Sequence, residues 1–222
     1  MTEVTDVVEE YLEGIYRIEE KGGVARTSDI VKLLHVVPGT VTNTVERLER
    51  DGMLRHEPYR GVRLTEKGRK IALDVIRRHR LSERLLTDFV RVDWDKAHGA
   101  ACKLEHSITN DVIKKLEKAL GHPKTCPHGN PIPTACGGII EEKLELLSTL
   151  ESKERGVIAK ITDETPEVLK YIATLGLLPG VSIEIVEAAP FEGPLTVKVD
   201  GSNHALSLSM ARSIWVKKRI KK

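Results

Sequence analysis

The stretch VVPGTVTNTVERLERDGMLRHEPYRGVRL, residues 36–64, decides the fold of the N-terminal part. A Pro-Gly turn at Pro38 and Gly39 opens a helix with Val41, Val45 and Leu48 on one stripe, and Gly52 stops it. Two short strands then flank a turn at Tyr59, Arg60 and Gly61. Upstream, RTSDIVKLLH predicts a short helix capped at Thr27 or Ser28, with Ile30, Leu33 and Leu34 facing inward. Before it, VTDVVEEYLEGIYRIEE has apolar residues at helical spacing as far as the Gly22-Gly23 pair. Helix, helix-turn-helix and hairpin, in that order, make a winged helix-turn-helix.

Downstream, Thr65 and Gly68 mark the entry to a long amphipathic helix, TEKGRKIALDVIRRHRLSERLLTDFV. Two more helices are expected, Asp93 to His106 and Thr109 to Leu120. A Pro/Gly-rich connection, GHPKTCPHGNPIPTACGG, follows, and then a helical pattern in IIEEKLELLSTLE. Beyond Ser152 the β-branched runs GVIAKI, VSIEIVEA, LTVKVDG, HALSLS and SIWVKK predict five strands of a small barrel, interrupted by a helix capped at Thr165 with Pro166 next. The expected class is multidomain and mainly α. Its parts are a winged helix-turn-helix over 1–72, a helical domain over 73–140, a linker over 141–152 and a small all-β domain over 153–222.

The composition, 40% hydrophobic and 31% charged over 222 residues, is that of a chain able to bury a core. No apolar run approaches the roughly 18 residues a membrane helix needs, and the acidic start is unlike a targeting signal, so a cytoplasmic protein without membrane contact is expected. Three cysteines make no disulfide framework and read as reduced thiols. Arg55, Arg60, Arg63, Lys67, Arg69 and Lys70 form a basic strip, whereas the first helix is acidic. The contrast fits either two solvated faces or a phosphate-binding surface from which an acidic segment is kept away.

The chemistry concentrates in HGAACKLEHS, residues 98–107. On a helical wheel His98, Cys102, Glu105 and His106 fall within an arc of about 100°, but His98 and His106 stand about 12 Å apart along the axis. One ion bound at about 2 Å by each ligand does not span that distance, so two sites are expected. Cys102, Glu105 and His106 make one compact set. His98 needs partners from elsewhere, and the long helix offers His79 and Glu83 one turn apart. The bland alternative is core histidines, a buried cysteine and surface glutamates. Cys126, His128 and Cys136 offer a further metal site, but their C-x-H-x7-C spacing matches no common zinc motif, and a structural loop is the expected reading.

RRHRLSERLLTDF, DWDKAHGAACKLEHSI and HGNPIP resemble the diphtheria toxin repressor family of iron- and manganese-dependent transcriptional repressors. The resemblance covers residues 1 to about 135, implies that the helical part over 73–140 is a metal-binding and dimerisation domain, and extends more weakly to a tail similar to the family's SH3-like domain. It implies an ancillary metal site at His79, Glu83 and His98. It also implies a regulatory site at Cys102, Glu105 and His106, completed from the first helix, where the iron branch has methionine and this chain has Glu10. The manganese branch has acids there and three residues on, and Glu13 stands at that second place. Asp163 and Glu164 are the candidates for further ligands from the SH3-like domain.

A thiolate with imidazole and carboxylate suits Fe(II), Co(II), Ni(II) or Zn(II), while the carboxylate of Glu10 makes the set more tolerant of Mn(II). Fe(II) is the expected ion and Mn(II) the alternative. The expected partners are a second copy of the chain and palindromic double-stranded DNA, read by the helix Pro38 to Arg50 in the major groove. The candidate DNA contacts are Thr27, Pro38, Gly39, Thr40, Thr42, Asn43, Arg47 and the wing-tip Arg60. The family has Ser-Gly-Pro and a glutamine where this chain has Val37-Pro38-Gly39 and Asn43, so a different operator sequence is expected. The rival class is a metal-dependent hydrolase, against which stands the lack of a nucleophile, general-base or phosphate-loop signature.

Overall fold

The computed structural model describes residues 4–57, 59–140 and 142–218. Glu3, in the acidic start of the chain, and Glu141, in the stretch 139–151 expected to be helical, lie outside them. The chain forms two compact units, Met1–Arg78 with Pro133–Gly138, and His79–Ile132 with Ile139–Lys222.

In the first unit α1 (Asp6–Glu20), α2 (Thr27–Leu34) and α3 (Pro38–Arg50) precede the hairpin β1 (Leu54–Glu57) and β2 (Gly61–Leu64), and α4 (Glu66–Asp88) follows. The helices form because their apolar residues recur at helical spacing. Val8, Leu12 and Ile15 of α1, Ile30 of α2, and Val41, Val45 and Leu48 of α3 are all buried. Leu33 departs from its expected inward position and is 41% exposed. Its Cδ2 still reaches Gly14, where an added Cβ would come within 3.1 Å. Pro38 starts α3 as its first helical residue, where its missing N–H costs nothing.

The wing pairs in register from Leu54 with Leu64 to Glu57 with Gly61. Gly61 has φ +133°, and a Cβ there would sit 2.4 Å from the Ala25 carbonyl oxygen. Only glycine lets the hairpin lie this close to the segment before α2, where Ala25 and Val62 exchange hydrogen bonds of 3.1 and 2.9 Å. Part of the basic strip is engaged within this unit. Arg69 lies 3.5 Å from Glu19, Arg63 lies 2.6 Å from Glu57, and Glu19 also accepts from the Leu64 N–H.

The second unit holds the end of α4, α5 (Ala97–Leu104), a 3-10 turn at Glu105–Ser107 and α6 (Asn110–Ala119). The single helix expected over 93–106 is therefore shorter. Residues 93–96 form a turn closed by the Lys96 N–H to the Asp93 carbonyl, and the far end tightens into 3-10 geometry before the extended Ile108. Leu81, Ile113 and Ile132 pack together beneath Ile108, Leu116 and Leu120.

A six-stranded antiparallel sheet follows, ordered β3-β8-β4-β5-β6-β7, built from β3 (Glu145–Leu146), β4 (Arg155–Ile161), β5 (Ser182–Ala188), β6 (Leu195–Val199), β7 (Ser202–Leu206) and β8 (Ile214–Lys218). Two short helices, α7 (Pro166–Thr174) and α8 (Leu208–Ala211), complete it. Each of the five expected strands has a counterpart, but HALSLS is strand only as far as Leu206, and its Leu208 and Ser209 open α8 behind the cap Ser207. The helix expected over 139–151 is not present among the described residues. Glu145 and Leu146 instead pair with Val216 and Trp215, and Leu147 and Leu150 enter the core of the sheet, so tertiary pairing overrides the local pattern.

Candidate metal centre

Helix α4 presents His79 and Glu83 one turn apart on one face, both fully buried in the second unit. Glu83 Oε1 lies 3.0 Å from His79 Nε2, 3.3 Å from His98 Nδ1 and 3.3 Å from His128 Nδ1. His98 comes from α5, and its Nδ1 is also 3.5 Å from Glu164 Oε2, on the turn after β4. His79, Glu83, His98 and Glu164 thus converge, their donor atoms all within 4.8 Å of one another. Asp163, the other acid expected nearby, instead accepts from the Thr165 backbone and hydroxyl at the entry to α7.

Cys102, Glu105 and His106 are not gathered by themselves. Cys102 Sγ stands 3.9 Å from both His79 Nδ1 and His98 Nε2, and the three residues make a second convergent set. Glu105 Oε2 lies 2.6 Å from His79 Nδ1, and Glu105 Oε1 lies 3.3 Å from His106 Nε2. The imidazole of His79 therefore stands between the two expected sets, one nitrogen toward each. The 3-10 turn explains this arrangement. Glu105 and His106 leave the α-helical wheel on which all four residues were counted.

A third convergent set gathers Glu83, Cys126, His128 and Glu164, all buried; the sequence offered Cys126 and His128 with Cys136, not with these two carboxylates. Cys126 and His128 sit on the Pro/Gly-rich loop. Gly129 has φ +85°, and a Cβ there would fall 2.0 Å from the Ala159 carbonyl oxygen of β4. The loop is thereby held on the sheet, where the Ile161 N–H donates to the His128 carbonyl at 2.9 Å. Asn130 donates to the Ile161 carbonyl at 2.7 Å and to Glu164 Oε1 at 2.8 Å, fixing that carboxylate. Cys136 is exposed and, among the described residues, is in no convergent set, so only the Cys and His of the C-x-H-x7-C spacing come together. The available signal was a Cys and a His two residues apart on a rigid loop.

Burial alone lowers a histidine pKa, yet here the neighbours win. Hydrogen bonds to Cys126, Glu164 and Glu83 push His128 up to about 12 against its burial. Cys102 and Glu83 likewise bring His98 up to about 9 against its burial. Burial raises the Cys102 thiol, but His79 and His98 outweigh it and bring the group down to about 7. Burial pushes Cys126 up to about 11. Glu83 is held well below the carboxylate range despite its burial, first by the charge on His79.

The donors fit a divalent ion on two further counts. Glu83 Oε2 is buried and has no hydrogen-bond partner, a costly arrangement for an anionic oxygen unless a cation meets it. His128 Nε2 lies 3.1 Å from the Trp94 carbonyl, so its N–H donates there, while Nδ1 donates its proton toward the carboxylates of Glu83 and Glu164 and would give that proton up to bind an ion. A metal-binding histidine usually has such a carbonyl behind it.

In the first unit the residues expected to meet DNA are open to solvent. Thr27, Pro38, Gly39, Thr40, Thr42, Asn43, Arg47 and Arg60 are all exposed, although the Thr42 hydroxyl donates to the Pro38 carbonyl at 3.2 Å. Glu10 is exposed on α1, whereas Glu13 is buried and pairs with Arg17 at 2.8 Å. Among the described residues no helix is long and apolar enough to cross a membrane.

Comparison with known proteins agrees along the chain. Residues 3–62 match the iron dependent repressor N-terminal DNA binding domain, 65–134 the iron dependent repressor metal binding and dimerisation domain, and 146–218 the FeoA domain, which is SH3-like. The iron-dependent repressor IdeR of Mycobacterium tuberculosis (strain ATCC 25618 / H37Rv) is 36% identical over 231 residues, covering 98% of this chain and 100% of that protein. The diphtheria toxin repressor of Corynebacterium glutamicum is 31% identical over 232 residues, covering 98% and 99%. Among solved structures, a manganese-dependent transcriptional repressor in complex with manganese has a TM-score of 0.88 at 28% identity, covering 96% of this chain and 100% of that one. The IdeR of T. acidophilum has a TM-score of 0.83 at 29% identity, covering 99% and 100%. The chain belongs to the iron-dependent repressor family, whose members include the diphtheria toxin repressors.

Proposed function

We propose that this protein is a transcriptional repressor whose hold on DNA depends on a bound divalent ion, with Fe(II) the physiological effector and genes of metal uptake the targets. The observation that carries this reading is the buried gathering of imidazole, carboxylate and thiol donors around Glu83, in a chain that also has the family's DNA-binding domain. In this reading His79, Glu83, His98 and Glu164 form the ancillary site. Cys102, Glu105 and His106 serve the regulatory one, with Glu10 as the further ligand. Glu13 is disfavoured as a ligand because it already pairs with Arg17.

A bound ion would supply positive charge and directed coordination bonds, and so favour the conformation that its ligands reach together. The remaining work falls to the chain's own residues. Pro38 and the first turn of α3 would meet the major groove, Asn43 would read a base edge, and Arg60 would meet phosphate or the minor groove. A homodimer acting in the cytoplasm would read a palindrome with half-sites about one helical turn apart. As a repressor it would turn over no substrate.

Mn(II) is the second reading, favoured by Glu10, a harder ligand than a thioether. Cys102, with its thiol near neutrality, favours the softer Fe(II). Fluorescence anisotropy on the gene's own upstream DNA, under anaerobic Fe(II), Mn(II), Zn(II) or chelator, separates the two. Half-maximal binding at lower free Fe(II) than free Mn(II) is expected, and the reverse order assigns manganese.

A further inference from the structure

We propose that Glu46 is a base-reading residue that selects cytosine at one position of each operator half-site. The inference rests on the DNA-binding reading above and adds a specificity determinant to it. Val41, Val45 and Leu48 turn one side of α3 into the core. On a helical wheel Gly39, Asn43, Glu46, Arg47 and Arg50 fall on the opposite side, and all five are exposed. Glu46 stands about 60° around the helix from Asn43 and about 4.5 Å further along its axis. Successive bases are about 3.4 Å apart, so when Asn43 meets one base edge Glu46 comes to a neighbouring one.

A carboxylate on this face calls for a reason, because a surface that meets phosphate gains from each positive charge and loses from each negative one. Glu46 lines the cleft between α2, α3 and the wing, alongside Thr27, Thr42, His56 and Arg60. The neighbouring acids are engaged within the unit. Glu49 lies 2.6 Å from the His56 ring, and Glu57 lies 2.6 Å from Arg63 and 3.8 Å from Arg60. Arg50 stands one turn from Glu46, the spacing of a helical ion pair, yet among the described residues Glu46 makes no hydrogen bond or ion pair. Its ionised carboxylate only accepts hydrogen bonds. In the major groove guanine and thymine present acceptors, which repel it, and adenine sets its N7 acceptor beside its amino group. Cytosine presents the N4 amino donor with no acceptor of its own on that edge. The acid thereby turns a general repulsion into a preference for one base.

The test uses the full chain, loaded anaerobically with Fe(II) and in parallel with Mn(II), and a pool of randomised duplexes. Sites selected by the wild type, Glu46→Ala and Glu46→Gln should agree except at one symmetric pair of positions. There the wild type should require cytosine, Glu46→Ala should accept any base, and Glu46→Gln should move to adenine. On the wild-type site Glu46→Ala should bind about 5–150-fold more weakly. On the site with thymine in place of that cytosine it should bind more tightly than the wild type. Neither substitution removes a hydrogen bond or ion pair among the described residues. Identical base preferences in all three proteins overturn the proposal. So does a uniform gain in affinity for every duplex on Glu46→Ala, the mark of a carboxylate that only repels phosphate. Failure of the underlying reading looks different: the metal-loaded wild type then selects no sequence, and the proposal falls with it.

Discussion

Replacing Gly129 with alanine should detach the Cys126–His128 loop from the sheet and leave the DNA-binding unit folded. At φ +85° an L-residue costs about 1–2 kcal/mol relative to glycine. The new methyl carbon would lie 2.0 Å from the Ala159 carbonyl oxygen, and ordinary contact begins at 3.4 Å, so the loop must retreat by about 1.4 Å. That movement breaks the 2.9 Å bond from the Ile161 N–H to the His128 carbonyl and strains both bonds of Asn130. Leaving one such buried group unpaired costs about 1–3 kcal/mol, for a total of about 2–5 kcal/mol. Trp94 is a local reporter, since its indole N–H donates to the Pro127 carbonyl and its ring meets His128 at 4.8 Å. Urea unfolding in chelator, followed by tryptophan fluorescence, should show a destabilisation of that size. Cobalt affinity at the ancillary site should fall by about 10–100-fold, the usual effect of disturbing the groups behind metal ligands. An unchanged midpoint together with unchanged cobalt uptake would refute the argument.

Three other outcomes are expected. Alkylation of Cys102 in chelated protein, read by peptide mass spectrometry, should have its midpoint near pH 7 and be blocked by metal, whereas buried Cys126, pushed up to about 11, should stay unmodified at neutral pH. Because folding raises His98 from 6.5 to about 9, its contribution, at most about 3 kcal/mol, is full below pH 6.5 and lost as the pH climbs through 9. Chelated protein should therefore lose stability over that window, and His98→Ala should flatten the loss. Asn43→Ala should cost about 1–3 kcal/mol and relax base preference at one operator position, while Arg60→Ala should weaken all sequences alike and reduce the salt dependence, as titrations at several ionic strengths would show.

The DNA-binding part was legible because its signals are local. The stripe Val41, Val45 and Leu48, the turn at Pro38 and the wing-tip glycine each act within a few residues, and all stand where the pattern put them. The convergent donor sets were half legible. His79, Glu83 and His98 follow from helical spacing, but Cys126 and His128 reach Glu83 through a loop docked on β4, a contact between residues far apart in sequence. The misread helix over 139–151 has the same origin. Its leucines fit a helical stripe, and only pairing with β8, some 70 residues away, turns Glu145 and Leu146 into a strand. The 3-10 turn at Glu105 likewise has no mark in a sequence that counts regularly to His106.

The affinity of the stripped protein for its own upstream DNA, compared with that of the Fe(II)-loaded protein at one salt concentration, weighs the whole account. If the ion favours the DNA-competent state by a factor of about 100, or about 2.7 kcal/mol, the dissociation constant should fall by about that factor on loading. Equal affinity with and without metal would contradict it.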